Sequence, residues 1–279
     1  MSGAGTVEQN DVSAGYSLSE MAYSFGYNLR LKCSSFQQAT VSWLLDQSST
    51  LMDAGAPKIL SLGCGDGAVD LQVLEPLRTS NRNFYFMGVD FNPVELHRFR
   101  KRLSASDEHF REAVTLRCMR FDEFSRLAQR FDLIYMVYFL QSFEHVMPAI
   151  ATALRHLAPQ GRLVIVHQQQ SGIYDLRQRF RACLRSQKFH SSEEICALLR
   201  QQGVEFSSHT IDTFFDVTTM HAMSLDALLL MSFCFCEDLS ALEKREQEAI
   251  RNAFLEHATA GADGRLRIYE PMDAIICRA

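Results

Sequence analysis

Hydrophobic and polar positions follow two patterns along this chain: short apolar runs, and longer segments in which apolar residues recur every three or four positions. The apolar runs at residues 59–62, 84–90, 114–118 and 131–140 are each followed by a segment of the second kind. Such runs predict strands buried on both faces, and the recurring spacing predicts helices that cover them. Alternation of the two predicts an α/β fold with a parallel, Rossmann-like sheet.

The second half of the chain continues this alternation and then interrupts it. Strands are predicted at residues 162–167, 204–217 and 272–277, and a helix at residues 191–203 begins with the S-x-x-E spacing of a capping box. Residues 220–260 are strongly helical and precede the last strand. We therefore expect a helical subdomain inserted before the last strand.

The first 52 residues differ in composition from the rest. Residues 1–15 are small and polar and predict a mobile tail, because they offer almost nothing to bury. Residues 16–52 contain a group of aromatic side chains, including Tyr23 and Tyr27, ahead of a predicted helix at residues 34–52. Apolar residues share one face of that helix, so we expect it to cover the main sheet.

Three glycines at alternate positions follow the first predicted strand. They are Gly63, Gly65 and Gly67, with Asp66 between the last two. Glycine removes the Cβ atoms that would keep a ligand from the backbone, and the exposed amides of a helix N-terminus bind polar or anionic groups. Asp90 ends the next apolar run, where a carboxylate can accept both hydroxyls of a ribose. The pattern predicts a site for a nucleoside-containing ligand.

Two classes of ligand could use this turn. A dinucleotide fold usually has G-x-G-x-x-G, whereas residues 63–67 read G-x-G-x-G. This spacing resembles motif I of class I S-adenosylmethionine-dependent methyltransferases. The resemblance implies S-adenosylmethionine as the cofactor and a seven-stranded class I sheet with an antiparallel last strand. A nicotinamide-binding Rossmann domain is the alternative.

The same resemblance extends to the adenosine end of the cofactor. In class I methyltransferases an acid just beyond the third strand meets the adenine amino group, with an aromatic or apolar neighbour on the ring. Asp122 and Phe121 stand at that place, and Phe91, directly after Asp90, belongs to the same predicted site. The alternative for Asp122 is the cap of a helix at residues 124–129.

A closer resemblance rests on short matches at the strands, at the turn after the fifth strand and in the inserted segment. They are residues 59–63, 70–72, 132–136 and 171–172 and the helical insertion. On these the chain resembles the histamine N-methyltransferase family over residues 20–279. The resemblance implies a set of cofactor-binding residues: Gly63, Asp90, Glu95, Asp122 and Val137.

The substrate side of that family's site matches poorly, so the resemblance implies the reaction and the cofactor but not histamine. The positions that would line the acceptor pocket are Phe36, Tyr138, Gln141, Ser142, Ile173 and Glu270. A pocket with different polar contacts rejects the original ligand, because buried polar groups would be left unpaired. We expect Tyr138, Gln141 and Glu270 to orient the nucleophile and accept its proton. The alternative for Glu270 is a surface position before Pro271.

The N-terminal segment also gains a possible role from the resemblance. In many small-molecule methyltransferases a segment like residues 16–52 closes over the substrate. Tyr23 and Tyr27 are therefore candidate substrate-binding residues in a lid. Their alternative role is packing against the rest of the domain.

Composition limits the partners and the compartment. The chain has 279 residues with 47% apolar content, enough for one domain with a large core over residues 16–279. A net charge of −5 gives no long-range attraction to nucleic acid or to an anionic membrane, so a small-molecule acceptor is expected. No apolar run reaches the roughly 18 residues of a membrane span. We expect a cytoplasmic monomer or homodimer.

Cysteine and histidine patterns predict no metal site. None of the eight cysteines forms a C-x-x-C pair, and the nine histidines lack ligand spacing. The sequence therefore predicts S-adenosylmethionine-dependent methyl transfer to a small molecule, at an amine or imidazole nitrogen. One alternative is a catalytically silent S-adenosylmethionine-binding protein with a regulatory or interaction role. Another is a macromolecular methyltransferase, although the N/D-P-P-Y/F motif is missing at residues 137–140.

Overall fold

The computed structural model describes residues 18–52, 55–80, 82–182 and 189–278, and the predicted tail at residues 1–15 lies outside them. The helices are α1 (Glu20–Cys33), α2 (Phe36–Asp46), α3 (Ser48–Leu51), α4 (Ala68–Thr79), α5 (Pro93–Leu103), α6 (Glu108–Ala113), α7 (Phe121–Phe124), α8 (Val146–Arg155), α9 (Ile173–Arg179), α10 (Ser192–Gln201), α11 (Leu225–Phe235) and α12 (Lys244–His257). The strands are β1 (Lys58–Leu62), β2 (Tyr85–Asp90), β3 (Val114–Cys118), β4 (Phe131–Val137), β5 (Leu157–Gln168), β6 (Phe206–Ile211), β7 (Phe214–Asp216), β8 (Thr259–Ala260), β9 (Leu266–Tyr269) and β10 (Met272–Arg278).

The large sheet has seven strands in the order β3-β2-β1-β4-β5-β10-β6. The first five strands in this order pair in parallel, and β10 runs antiparallel between β5 and β6. This is the sheet predicted from the sequence, including its antiparallel last strand. The carboxyl ends of β1, β2 and β4 therefore meet at one edge, where ligands bind in folds of this kind.

Two hydrophobic clusters cover the two faces of this sheet. On one face, α2, α4 and α5 pack through buried side chains that include Leu44, Leu74 and Phe99. On the other face, α8 and α10 pack through Ile150 and Leu199. Because both faces are covered, the central strands read as continuous apolar runs in the sequence.

A smaller sheet, in the order β7-β9-β8, packs with α11 and α12 around a third hydrophobic cluster. The inserted segment that was predicted at residues 220–260 contains both of these helices. The N-terminal helix α1 lies against α11 at close range, since an added Cβ at Gly26 would be 2.5 Å from the Cβ atom of Phe233. The insertion and the N-terminal helix thus form one packed unit beside the large sheet.

The predicted sixth strand, residues 204–217, is in fact two strands in different sheets. β6 pairs with β10 in the large sheet, and β7 pairs with β9 in the small one. Between them the Glu270 N–H donates to the Thr213 carbonyl at 2.9 Å, and the Thr213 hydroxyl donates to the Glu270 carbonyl. The prediction of one strand was wrong because the change of sheet depends on a residue 57 positions away.

Other boundaries also differ from the prediction. The fifth strand, predicted at residues 162–167, begins at Leu157. The aromatic segment ahead of residue 34 is itself a helix, α1, and the helix predicted at residues 34–52 is divided into α2 and α3. The fourth strand was predicted to run to residue 140 but ends at Val137. Tyr138 has a φ of +55°, which takes the chain out of extended backbone at that point.

Candidate functional site

Three glycines with positive φ form the turn between β1 and α4: +75° at Gly63, +52° at Gly65 and +72° at Gly67. Packing requires two of them, since an added Cβ would lie 2.7 Å from the Phe139 ring at Gly63 and would overlap the Phe99 ring at Gly67. At Gly65 an added Cβ would meet nothing within 4 Å. Gly65 therefore faces open space in which a ligand can approach the backbone.

Asp90, at the end of β2, is joined to this turn. Its Oδ2 accepts a hydrogen bond from the Gly65 N–H at 2.9 Å, and its Oδ1 accepts one from the Asn92 N–H at 2.8 Å. Burial raises the pKa of the carboxyl group, and the backbone hydrogen bonds partly oppose the shift. A carboxylate has about four acceptor positions, so Asp90 keeps capacity for a ligand hydroxyl beside these backbone donors.

Two other acids were predicted to bind the cofactor, and only one of them has a carboxylate oxygen without a hydrogen-bond partner among the described residues. Asp66 accepts from the Ala68 N–H at 3.1 Å and pairs with Arg102 at 2.6 Å, so its carboxylate supports the start of α4. Glu95 pairs with Arg98 at 2.6 Å through Oε1, while its buried Oε2 has no hydrogen-bond partner among the described residues. Burial raises the pKa of Glu95. Glu95 thus keeps one oxygen free to accept a hydrogen bond.

A cavity of about 100 Å³ lies directly against the glycine turn. It joins residues from both predicted sets. From the predicted cofactor site its wall contains Gly63, Gly65, Asp66 and Val137, and from the predicted substrate site Tyr27, Phe36, Tyr138 and Gln141. Residues far apart in the sequence are therefore assembled at the edge where the strands end.

The predicted adenine-binding residues lie outside the wall of this cavity. Phe91 is 63% exposed. The Asp122 side chain is also 63% exposed and faces Arg120 at 3.7 Å. Asp122 is not the helix cap either, because Glu123 accepts from the Arg120 N–H and begins α7 earlier than predicted. The helix predicted at residues 124–129 was wrong for this reason.

Phe121, by contrast, is connected to the glycine turn through one side chain. Its ring lies 5.7 Å from that of Phe139, measured between centroids, and the Phe139 ring would contact any Cβ at Gly63. Phe121 therefore packs behind the turn, against Phe139, without lining the cavity.

A second, deeper cavity of about 10 Å³ adjoins the first. Four residues line both cavities: Arg30, Tyr138, Gln141 and Phe233. The deeper cavity adds the other predicted substrate residues, Tyr23, Ile173 and Glu270, together with Arg177, Cys234 and Cys236. Seven of the eight residues predicted for the substrate side thus line one or both cavities, and the side chain of the eighth, Ser142, lies outside the described part of the structure.

Glu270 is buried, with 1% of its surface exposed, so its alternative as a surface residue was wrong. One carboxylate oxygen pairs with Arg30, whose guanidinium group also lies over the Phe215 ring at 4.2 Å. The other oxygen, Oε1, finds no hydrogen-bond partner within the described part of the chain. Glu270 therefore presents one free acceptor atom at the deeper cavity.

Tyr138 lies between the two cavities. Its left-handed backbone turns the side chain inward, where its ring packs edge-on against Phe36 at 4.8 Å. The Tyr138 hydroxyl donates to Oε1 of Gln168 at 3.4 Å. Burial raises the pKa of this hydroxyl, which therefore stays protonated at neutral pH.

Sequence reasoning missed three charged residues at the site. Asp70 lies in the first turn of α4 and accepts from the Tyr135 hydroxyl at 2.7 Å, and burial raises its pKa to about 6. Arg30 and Arg177 were also missed. A signal existed for Arg30, because Tyr23, Tyr27 and Arg30 are spaced i, i+4 and i+7 and so share one helix face. The aromatic residues alone were considered.

A family model described as a methyltransferase domain matches residues 32–209, which is more than half of the chain. The chain belongs to this methyltransferase-domain family. The match includes the glycine turn and Asp90 but ends before α11, α12 and Glu270. The family match therefore includes most of the predicted cofactor site of this methyltransferase-domain protein and only part of its predicted acceptor site. No curated protein matches the chain.

Solved structures share the fold at low sequence identity. The magnesium protoporphyrin IX methyltransferase of Synechocystis PCC 6803, with bound SAH, is 11% identical over 87% of this chain and 83% of that chain, with a TM-score of 0.52. The plantazolicin methyltransferase BamL, with SAH and a triazolic desmethylPZN analog, is 17% identical over 92% and 90%, with a TM-score of 0.52. The cyclase SpnF is 16% identical over 86% and 82%, with a TM-score of 0.51. These likenesses show the fold, which by itself does not fix a reaction.

Family and fold confirm the coarser predictions. The class I type of sheet is confirmed, and the predicted S-adenosylmethionine cofactor agrees with the family and with the SAH in two of these neighbours. The narrower resemblance to the histamine N-methyltransferase family finds no support in the comparisons. Within the described ranges, no helix is long and apolar enough to cross a membrane. The same ranges contain no group of three acids, cysteines or histidines placed to hold a metal ion.

Proposed function

We propose that this chain transfers a methyl group from S-adenosylmethionine to a small molecule, at an amine or imidazole nitrogen. The observation that carries this proposal is the pair of adjoining cavities. The first lies on the glycine turn, and the second shares part of its wall, including Tyr138 and Gln141. Group transfer between two ligands needs two sites that meet, because the reacting atoms must be held in near contact.

Four residues would hold the cofactor. The open space at Gly65, beside Gly63, accommodates a ligand close to the backbone. Asp90 keeps acceptor capacity for a ribose hydroxyl, and the buried Oε2 of Glu95, unpartnered among the described residues, accepts a further hydrogen bond. When bound, S-adenosylmethionine supplies an activated methyl carbon, so this chain has only to position the acceptor.

The acceptor side would act by orientation and exclusion of water. The Gln141 amide and the free Oε1 of Glu270 can fix the N–H groups of an acceptor, which directs its lone pair. Because Arg30 already pairs with Glu270, we assign this carboxylate to orientation first and to proton uptake only as the new N–C bond forms. Tyr138 and Phe36 form an apolar wall that excludes water from the nucleophile.

Within the segment that was expected to be a lid, helix α1 is the part that covers the cavities. The cavities of about 100 and 10 Å³ are smaller than the roughly 300–1,000 Å³ of ligand pockets. Tyr23, Tyr27 and Arg30 of α1 line them. We therefore propose that α1 moves away from the glycine turn to admit ligands and then closes over them.

The same closed volume favours the second candidate, a catalytically silent protein that binds S-adenosylmethionine for a regulatory or interaction role. In that case the first cavity would open to the cofactor while the deeper one stayed closed to any acceptor. The two candidates share the cofactor and differ only in turnover.

Calorimetric titration with S-adenosylhomocysteine tests the part common to both candidates. We expect saturable one-to-one binding, and its absence would overturn both. Incubation with radiolabelled S-adenosylmethionine and a panel of amines, imidazoles and thiols then separates them. Label transfer to a nitrogen supports the enzyme, transfer only to sulfur contradicts the nitrogen assignment, and binding without any transfer favours the silent protein.

We also propose that the protein acts in the cytoplasm as a monomer or homodimer. All seven cysteines that the structure describes are free thiols, which supports a reducing compartment. Cell fractionation and size-exclusion chromatography test the two parts of this proposal.

A further inference from the structure

The deeper cavity carries more positive than negative charge. Its wall contains two guanidinium groups, those of Arg30 and Arg177, and one carboxylate, that of Glu270. Glu270 is paired with Arg30. Among the residues that the structure describes, no carboxylate oxygen lies within 4.0 Å of the Arg177 guanidinium group. Arg177 is therefore a buried cation without a local counter-charge.

Neutral groups surround Arg177. The side chain is 6% exposed. Its Nε donates to the Cys234 carbonyl, and its Nη1 donates to Oε1 of Gln168 at 3.4 Å. The guanidinium group also lies over the Phe189 ring at 4.0 Å. These contacts solvate the charge but do not neutralise it, and an uncompensated buried charge destabilises a protein.

Three buried polar atoms, two on the wall of this cavity and one on a residue that contacts Arg177, point to a ligand. Nη1 of Arg30, Nε2 of Gln168 and Oε1 of Glu270 have no hydrogen-bond partner in the described ranges. Native proteins rarely leave such atoms unpaired. Two of the three are donors and one is a carboxylate acceptor. The arrangement therefore matches a molecule with an anionic group and an N–H group close together.

We propose that the methyl acceptor is a small amine or imidazole that carries a carboxylate, and that Arg177 binds this carboxylate. This inference rests on the proposed function. The carboxylate neutralises Arg177, and the free Nη1 of Arg30 belongs to a side chain of the same cavity wall. Gln168 stands behind that wall and contacts Arg177 and Tyr138 through Oε1. Oε1 of Glu270 receives the N–H of the acceptor, whose nucleophilic end faces Tyr138 and the first cavity.

A carboxylate suits this place better than other charged groups. Its planar pair of oxygens matches the fork of a guanidinium group. A phosphate brings up to two negative charges, more than the one uncompensated cation, Arg177, would balance. A simple cationic amine would bring a third positive charge beside Arg30 and Arg177, which selects against it.

The experiment uses pairs of compounds that differ only by a carboxylate. The full chain, saturated with S-adenosylhomocysteine, is titrated by calorimetry with histidine and histamine, glycine and methylamine, and β-alanine and ethylamine. The same titrations use Arg177→Met, Arg177→Lys and a control, Arg179→Met. Arg179 lies two residues further along α9, half exposed, and pairs with Glu256 at 3.0 Å on the surface.

We expect the acid of at least one pair to bind about tenfold more tightly than its decarboxylated partner. Arg177→Met should remove that preference and Arg179→Met should leave it unchanged. The proposal is overturned if the amines bind as tightly as the acids, if the preference survives Arg177→Met, or if no acid binds the protein that holds S-adenosylhomocysteine.

Arg177→Lys provides a second measurement in case Arg177→Met does not fold. Lysine keeps the charge but loses the planar fork. A loss of about fivefold in acid affinity supports the proposal, and an unchanged affinity overturns it. Failure of S-adenosylhomocysteine to bind would instead overturn the proposed function. Titration without it would still measure the preference for a carboxylate.

Discussion

The Asp90 carboxylate accepts a hydrogen bond from the Gly65 N–H at 2.9 Å, which connects the end of β2 to the glycine turn after β1. This contact holds the backbone at Gly65 open, with its positive φ and the empty space beside it. The same carboxylate keeps acceptor positions for a ligand. Asp90 therefore has a structural role and a proposed binding role that one variant can test together.

Asp90→Asn is expected to weaken S-adenosylhomocysteine binding by about 10- to 100-fold, because charge-assisted hydrogen bonds contribute roughly 1.5–3 kcal/mol each. Calorimetry measures the effect. The matched control is Asp132→Asn, since Asp132 also accepts a backbone N–H, that of Lys58, at 2.8 Å. Equal affinities in the Asp90 variant and the parent would place the ribose elsewhere.

Gly65→Arg is expected to abolish cofactor binding while the domain stays folded, because the new side chain would fill the open space beside the turn. Gly203→Arg is the control. Gly203 also has a positive φ, +68°, and open space around its Cβ position, but it follows α10 and lies outside both cavity walls. The two variants should lose similar stability, and only Gly65→Arg should lose affinity. Loss of binding in both would mean that backbone strain, not the site, is responsible.

Asp70 should make stability depend on pH. Burial raises its pKa from 3.8 to about 6, so the folded state holds the proton more tightly than the unfolded state. Ionisation between pH 4 and pH 6 therefore destabilises the parent, and the loss is complete above pH 6. Asp70→Asn keeps an oxygen that can accept from Tyr135. Relative to the parent, its unfolding free energy should rise by up to ~3 kcal/mol from pH 4 to pH 7.

Urea unfolding of both proteins at a series of pH values measures this difference. Comparison with the parent cancels the effect of other groups, such as His167, whose pKa burial lowers to about 4. A difference that does not change between pH 4 and pH 7 would contradict the assignment.

Removing one partner of the buried pair Arg30–Glu270 should destabilise the protein more than removing both partners. Glu270→Gln leaves Arg30 unpaired and is expected to cost ~3–5 kcal/mol of stability. The double variant Arg30→Met with Glu270→Gln should recover most of that loss. Chemical denaturation measures both.

Turnover separates the two roles of Glu270. The double variant should be stable but slow in methyl transfer, since its acceptor site lacks the free carboxylate oxygen. Full turnover in it would remove Glu270 from the acceptor site. As a control, Glu256→Gln breaks an exposed pair with Arg179 and should cost less than ~1 kcal/mol.

The sequence predicted those parts of the fold that depend on local pattern. β3 matches its predicted bounds, and β1, β2 and β10 match to within one residue. In β1 and β2 the strand and the apolar run coincide because both faces are buried. α10 begins at the predicted capping box of Ser191 and Glu194. By contrast, α1 was not predicted, because its aromatic face becomes a helix face only against Phe233 of α11.

The candidate site also contains residues that the sequence could predict and residues that it could not. The glycine turn and Asp90 could be predicted because each ends a strand, and strand ends of a parallel sheet meet at one edge. The helical spacing of Arg30 with Tyr23 and Tyr27 indicated a shared face, but the burial of Arg30 and Arg177 could not be predicted. Their burial depends on the rings of Phe215 and Phe189, which come from distant segments of the chain.

Glu270 faces the deeper cavity with its side chain, while its backbone holds Thr213 at the place where the two sheets separate. A substitution of Glu270 that changed the acceptor preference would also disturb the Thr213 junction, where the chain passes from one sheet to the other. New specificities in this lineage should therefore arise at positions such as Ile173 and Phe233, which line the cavity and hold no strand junction together. Relatives that methylate different acceptors would then differ at Ile173 and Phe233 and would keep Glu270.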